Sequence, residues 1–329
     1  MDLFVYGTLR HRPLFDLVAG ALALHGAILY DDLFGGQLNL GLAISASLVA
    51  WAVARLTFRP VVIYAHGEEL TTWGRGGKYK AMRFALRYAD RVIANSEHTR
   101  DTLLEMGIDA ARIAIIYPGV DVSVFRPGRD VSGLRESLGI RPGDKLVFSV
   151  GRLSRRKGFD QMIRAVAQLR GEDIPVRYVI AGIGEDADYL DGLIAEHNLR
   201  DIVHRIGAVS EADLPRWMNA CDVFAMPNRE IDGDNEGFGM VFIEAAACGK
   251  PSLAGKSGGT GSAVLDGETG FRVDADKIQN VVAALHQLLM DNDLRSTLGK
   301  AAQARVYMQF SWEAVAQATQ QTILARVIE

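Results

Sequence analysis

The stretch KLVFSVGRLSRRKGFDQMIRAV, residues 145–166, carries three kinds of sequence in succession. KLVFSV (145–150) is a short apolar run of strand length. Gly151 permits a sharp exit, and Gly158 precedes a segment with apolar residues at helical spacing. Between the glycines, Arg152, Arg155, Arg156 and Lys157 are concentrated in one loop. A strand without polar alternation is covered on both faces, so the unit reads as strand, basic loop and helix of a parallel sheet. Helix amides with flanking cations suit a diphosphate. A solvated basic loop is the plain alternative.

The same alternation runs outward in both directions. Strands are expected at 3–6, 27–31, 61–65, 91–95 and 112–116, then at 145–150, 176–181, 202–206, 222–226, 252–254 and 271–273. Helices are expected at 38–56, 76–89, 98–106, 159–170, 186–197, 211–220 and 238–248, with three more in 276–326. The fold class is therefore α/β, two Rossmann-like domains whose parallel sheets face a cleft, with ligands at the carboxyl ends of the strands. YPGVDVSVFRPG (117–128), with its two prolines and no periodic pattern, is the expected linker. It separates an N-terminal domain, 1–116, from a C-terminal domain, 129–305, and residues 306–329 form a last helix expected to pack back across the domains.

Composition narrows the function. A chain of 329 residues, 49% hydrophobic, exceeds one small core and is not disordered. A net charge of -4 supplies no global attraction for nucleic acid. Two cysteines, Cys221 and Cys248, stand among apolar neighbours and read as reduced core residues, which points to the cytoplasm. The run LNLGLAISASLVAWAVA (38–54) is 17 residues long and interrupted by Asn39 and two serines. That is marginal for a span. A buried or half-buried helix is expected there, with a peripheral contact at the inner face of a membrane, or a span, as the other readings.

Three more stretches carry chemistry. In NREIDGDNEGFGMVFIEAAACGKP (228–251), Glu236, Gly237, Phe238 and Gly239 stand at the expected entrance of an apolar helix that contains Glu244. Small residues there let a polyhydroxylated ligand reach backbone amides. On one continuous helix Glu244 would lie about two turns beyond Glu236 and about 80° round the axis, which spans a long ligand instead of flanking one bond. The plain reading of Glu236 is a first-turn charge that favours the helix dipole. In AGKSGGTGSAVLDGETG (254–270), Ser257, Gly258, Gly259 and Thr260 suggest a flexible nest of amides for phosphate. VVIYAHGEEL (61–70) puts His66 at a strand end, either facing a ligand or capped in the core. Asp232 and Asp234 imitate a metal motif, but a solvated acidic turn is favoured, and no metal is expected.

Taken in order, HGEE (66–69), PGVD…FRP (118–127), GRLSRRKG (151–158), EGFG with Glu244, and SGGTG…DGETG (257–270) resemble the retaining glycosyltransferases of family four, which have the GT-B fold. The resemblance covers roughly residues 58–325, and Glu236 and Glu244 match its E-x7-E pair. It implies transfer of a hexosyl group from a UDP- or GDP-sugar donor to a glycan or lipid-linked acceptor, with retention and no further cofactor. It also implies site roles. Arg152 and Lys157 bind the diphosphate, and Glu244 binds the ribose. Glu236, with the backbone of Gly237, Phe238, Gly239 and Met240, holds the donor sugar, and His66 faces it. Gly151 lies against the donor. The front of the chain departs from that pattern: the N-terminal domain is short, and FVYGTLRHRPL (4–14) is similar to the opening of γ-glutamylcyclotransferase-like proteins. Three alternatives follow: a catalytically weak nucleotide-binding relative, a sugar phosphorylase on a related fold, for whose pyridoxal phosphate and Schiff-base lysine the sequence shows no motif, and a γ-glutamylcyclotransferase.

Overall fold

The computed structural model describes residues 5–6, 61–67, 70, 76–141, 143–172 and 174–327. Its contacts group into two units, Met1–Tyr117 with Ala316–Glu329, and Pro118–Val315.

The first unit is a sheet in the order β1 (Val5–Tyr6), β2 (Val62–Ala65), β3 (Arg91–Ala94), β4 (Ile113–Ile115). Strands β2, β3 and β4 are parallel, with Val62 opposite Arg91 and Val92 opposite Ile113. Helix α1 (Gly77–Tyr88) connects β2 to β3, and α2 (Glu97–Glu105) follows β3. Ser96 starts α2 by accepting the Thr99 amide at 3.1 Å on its hydroxyl. Met82, Ala85 and Leu86 of α1 and Leu103 of α2 close the core over Val61, Ile63 and Val92. Strand β1 corrects the expectation of wholly parallel sheets, since Val5 pairs antiparallel with Ile63. An apolar run reports burial and carries no direction, so strand sense is set by pairing. The strand expected at 27–31 and the helix at 38–56 lie outside the described residues, as do residues 7–14 of the N-terminal motif. No helix among the described residues is long and apolar enough to cross a membrane.

The second unit is a wholly parallel six-stranded sheet. Its strands are β5 (Lys145–Val150), β6 (Val176–Ala181), β7 (Val203–Arg205), β8 (Val223–Met226), β9 (Ser252–Gly255) and β10 (Gly270–Val273). The short helix α3 (Leu134–Ser137) precedes the sheet. Helices α4 (Phe159–Gly171), α5 (Ala187–Glu196), α6 (Leu214–Ala220), α7 (Met240–Ala247) and α8 (Thr260–Ala263) fill the connections. Helices α9 (Ile278–Met290) and α10 (Asn292–Arg305), a π-helical turn at Val306–Phe310 and α11 (Trp312–Val327) complete the chain. Strands β6 and β8 are buried almost throughout, as runs such as VRYVIA and VFAM require when helices cover both faces. Phe148, Tyr178, Phe224 and Phe242 are each 1% exposed or less, and burial of such a side chain contributes about 1.5–3 kcal/mol.

The strand order β10-β9-β8-β5-β6-β7 positions the site. From β5 the chain builds outward through β6 and β7, then returns to the other side of β5 with β8. The connections leaving β5 and β8 therefore diverge, which opens a crevice at the carboxyl ends of this pair. The basic loop leaves β5 there, and the loop leading to Glu236 leaves β8.

Candidate functional site

The basic loop is held by backbone geometry before any side chain acts. Arg155–Lys157 make one 3-10 turn, which ends at Gly158 with φ +79°. A Cβ on Gly158 would lie 2.1 Å from the carbonyl oxygen of Pro227, so the loops after β5 and β8 touch backbone to backbone. The Arg229 amide donates to the Arg156 carbonyl at 2.9 Å. A buried ion pair reinforces this seam. Arg229 donates from both terminal nitrogens to the two oxygens of Asp160, at 3.0 and 2.8 Å, and Arg164 reaches the same carboxylate at 3.2 Å. Asp160 stands in the first turn of α4, where its charge also favours the helix dipole.

Glu236 is where the loops meet. Its Oε2 accepts from Lys157 Nζ at 2.5 Å, from Asn228 Nδ2 at 2.9 Å and from Arg156 Nη1 at 3.2 Å. Its carbonyl accepts the Gly259 amide at 2.7 Å, and a Cβ on Gly258, which has φ +53°, would stand 2.1 Å from that same oxygen. Three separated motifs thus converge on one residue. The helix expected from 238 begins only at Met240, with Gly239 as its N-cap at φ +91°. Glu236 is therefore a loop residue, and neither an axial angle to Glu244 nor a first-turn dipole contact describes it. Its carboxylate is drawn instead by two cations and an amide. The amides of Gly239 and Met240 make no hydrogen bond to a carbonyl among the described residues, which leaves donors at the start of α7.

The SGGTG segment differs from a flexible nest. Thr260 is fully buried, its hydroxyl donates to the Gly255 and Ser257 carbonyls at 2.6 and 3.0 Å, and residues 260–263 close into α8. The Gly259 and Thr260 amides are taken up by Glu236 and Ser257. What remains is the amide pair of Ser257 and Gly258 and the Ser257 hydroxyl, which is buried without a hydrogen-bond partner.

Glu244 has a different character. It lies in the second turn of α7, its Oε2 is buried with no hydrogen-bond partner, and desolvation pushes its pKa up to about 7. The displacement from the usual 4.5 corresponds to roughly 3 kcal/mol. A raised carboxyl pKa means that the folded state holds a proton which the unfolded state has released. Stability from this group is complete below pH ~4.5 and is lost as pH rises through about 7. Glu244→Gln is therefore expected to raise the melting temperature at pH 8 by on the order of 5 °C and to change it little at pH 5. A denaturation series across that range checks this; an equal shift at both pH values would remove the buried charge as its cause.

The remaining candidates divide. Gly151 directly follows β5, and the next residue, Arg152, is 74% exposed and pairs with Glu185 at 3.1 Å. Arg156 pairs with Asp234 at 2.9 Å in addition to Glu236. Asp232 and Gly233 form the tip of a tight turn closed by Ile231 and Asp234, so the Asp-Gly-Asp run is a turn with one arm tied to a cation. Phe238 is buried edge-on against Phe310 at 5.8 Å, which leaves its backbone for any ligand role, while Met240 is 38% exposed. His66 follows β2 in the first unit, and its carbonyl accepts from Asn95 at 2.8 Å. No group of His, Cys, Asp or Glu among the described residues has a metal-binding arrangement. Asn228, Arg229 and Asp160 escape sequence reading. The only trace of them is their position, directly after β8 or in the first turn of α4.

A family description, "Glycosyl transferases group 1", matches residues 130–305, which contain every candidate described above except His66. The chain belongs to this family. A second description, "Glycosyltransferase Family 4", matches residues 41–124. Among group 1 relatives, a D-inositol 3-phosphate glycosyltransferase of Mycobacterium marinum is 38% identical over 232 residues, 68% of this chain and 48% of that protein. The chain thus spans about half the length of that relative. A GDP-mannose-dependent alpha-(1-6)-phosphatidylinositol monomannoside mannosyltransferase of Mycolicibacterium smegmatis is 32% identical over 276 residues, 83% of this chain and 72% of that protein. In three dimensions, Anabaena HepE in complex with UDP-glucose aligns with TM-score 0.70 and 27% identity over 87% of this chain and 77% of HepE. Sucrose-phosphate synthase from Thermosynechococcus elongatus aligns at 0.70 and 26% over 98% and 82%. This group 1 chain therefore has two Rossmann-like units of the GT-B class.

Proposed function

We propose that the chain moves a hexosyl group from a nucleoside-diphosphate sugar to a glycan or lipid-linked acceptor, with retention of configuration. The observation that carries this is the convergence of the basic loop, the 228–239 loop and the SGGTG segment on Glu236. It places cations, a carboxylate and unused amides at the crevice of a doubly wound sheet, as a charged, polyhydroxylated ligand needs. HepE supports it, having been seen with UDP and with UDP-glucose. The mannosyltransferase relative supports a lipid-linked acceptor, since its name places it on phosphatidylinositol monomannoside.

In this reading Lys157 and Arg152 bind the diphosphate and stabilise the charge that develops as the nucleotide leaves. Glu236, oriented by Lys157, Arg156 and Asn228, accepts from sugar hydroxyls, with the Gly237–Met240 backbone as donors. Glu244 accepts the ribose hydroxyls, which supply the partners its buried oxygen lacks. Retention fits same-face attack, in which the departing phosphate oxygen takes the acceptor proton.

The deciding experiment is calorimetry with UDP, GDP and ADP against their nucleosides at pH 8. One preferred diphosphate is expected, and it names the donor panel for a transfer assay. Glu244→Gln is expected to weaken that nucleotide roughly tenfold, the scale of a charged hydrogen bond. Well-folded protein that binds none of the three would reject the donor site, and unchanged affinity in the variant would reject the ribose role.

A further inference from the structure

Every cation of the basic loop stands against its own carboxylate. Arg152 pairs with Glu185 at 3.1 Å, Arg155 with Asp186 at 3.4 Å, Arg156 with Asp234 at 2.9 Å and Lys157 with Glu236 at 2.5 Å. A loop whose composition suggests a strongly positive cradle is thus neutralised pair by pair before a ligand arrives. The pairs are not equivalent. Lys157 and Glu236 are 14% and 12% exposed, so theirs is a buried contact of fixed geometry. Arg155 is immobilised a second way, its guanidinium lying 3.6 Å from the ring centre of Tyr189. Arg156 is bound at both ends, to Asp234 and Glu236. Arg152 and Glu185 are 74% and 55% exposed, and a pair so open to water is held by little and is readily exchanged.

Glu185 is placed by backbone, not by chance. It follows β6 in the loop AGIGED (181–186). That loop is laced to the one after β5, since the Leu153 amide donates to the Ile183 carbonyl and the Asp186 amide to the Leu153 carbonyl, both at 3.0 Å. This keeps the Glu185 carboxylate beside Arg152, at the carboxyl end of the strand next to β5. The low pKa of Glu185, set first by its own backbone amide and then by Arg152 and Arg156, agrees with a charged group in this field.

We infer that Glu185 tunes donor binding: it is a built-in counter-ion that occupies Arg152 in the empty site, yields it to the diphosphate of the incoming ligand, and by competing for it weakens retention of the nucleoside diphosphate left after transfer. This rests on the functional reading above. Glu185 is a positioning residue, acting on the ligand through Arg152 and through like-charge repulsion.

The test is titration of UDP, GDP and ADP, with uridine, guanosine and adenosine as controls, into the full chain and into Glu185→Gln. The variant is expected to bind the preferred diphosphate roughly three- to tenfold more tightly, with nucleoside affinity unchanged. The gain should vanish when Glu185→Gln is combined with Arg152→Ala. Asp186→Asn is the control for a general change of field, since it removes the same charge one residue away but next to an immobilised arginine. It should leave affinity within twofold. Equal tightening by both variants, or no tightening by Glu185→Gln in a protein that binds diphosphate, overturns the inference alone. An unaltered chain that binds none of the three diphosphates overturns the functional reading together with it.

Discussion

Lys157→Ala is expected to lower kcat/KM for sugar transfer by about 10²–10³, with nucleoside affinity unchanged and the fold intact. Lys157 Nζ is largely shielded from water and already oriented by Glu236, so in the proposed reaction it would meet the charge of a leaving diphosphate without reorganising. A fixed donor aimed at such charge is worth most where water is excluded. Removing it does not strand Glu236, which keeps Arg156 and Asn228 on the same oxygen. The melting temperature should therefore move little, which separates this variant from a folding defect. Transfer of labelled sugar to an acceptor, measured alongside nucleoside and diphosphate titrations, gives the split. A loss below about fivefold, or an equal loss for nucleoside and diphosphate, would place Lys157 outside the reaction.

The second unit was legible because its chemistry is written locally. Parallel strands buried on both faces are continuous apolar runs, and each of the six, from KLVFSV to GFRV, falls within a residue of its expected place. What failed to show in the sequence is what depends on partners far away. Glu236 stands at a position that composition alone assigns to a helix entrance, yet Gly239 starts that helix and Lys157, from a loop 79 residues earlier, decides where the carboxylate points. The glycines of 257–261 suggested flexibility, but the Thr260 hydroxyl finds two carbonyls and turns the segment into helix. Strand β1 has an expected place and an unexpected sense, because no periodicity encodes direction. Glu185 passed unremarked, since a single acid after a strand has no signature until the arginine it meets is known.

Asp160→Ala is expected to destabilise the second unit by about 3–5 kcal/mol, the cost of leaving a buried guanidinium without its carboxylate. Arg229 is 11% exposed in its side chain and delivers both terminal nitrogens to Asp160, while its other carboxylate, Asp276, is 73% exposed and stands 3.8 Å from Nε, too far to replace that bidentate contact. The effect reaches the site through the backbone. Arg229 lies in the 228–239 loop and is tied through its amide to Arg156, so loosening it loosens the seam that sets Lys157 against Glu236. Diphosphate affinity should fall with stability in the single variant. The double variant Asp160→Ala with Arg229→Ala removes the stranded charge and should recover part of the stability, while the seam stays weakened and diphosphate affinity stays low. Urea denaturation of the wild type, both single variants and the double variant measures the coupling. Additive losses would mean that the pair is two independent surface charges, and full recovery of diphosphate binding in the double variant would mean that the clamp does not position the loop.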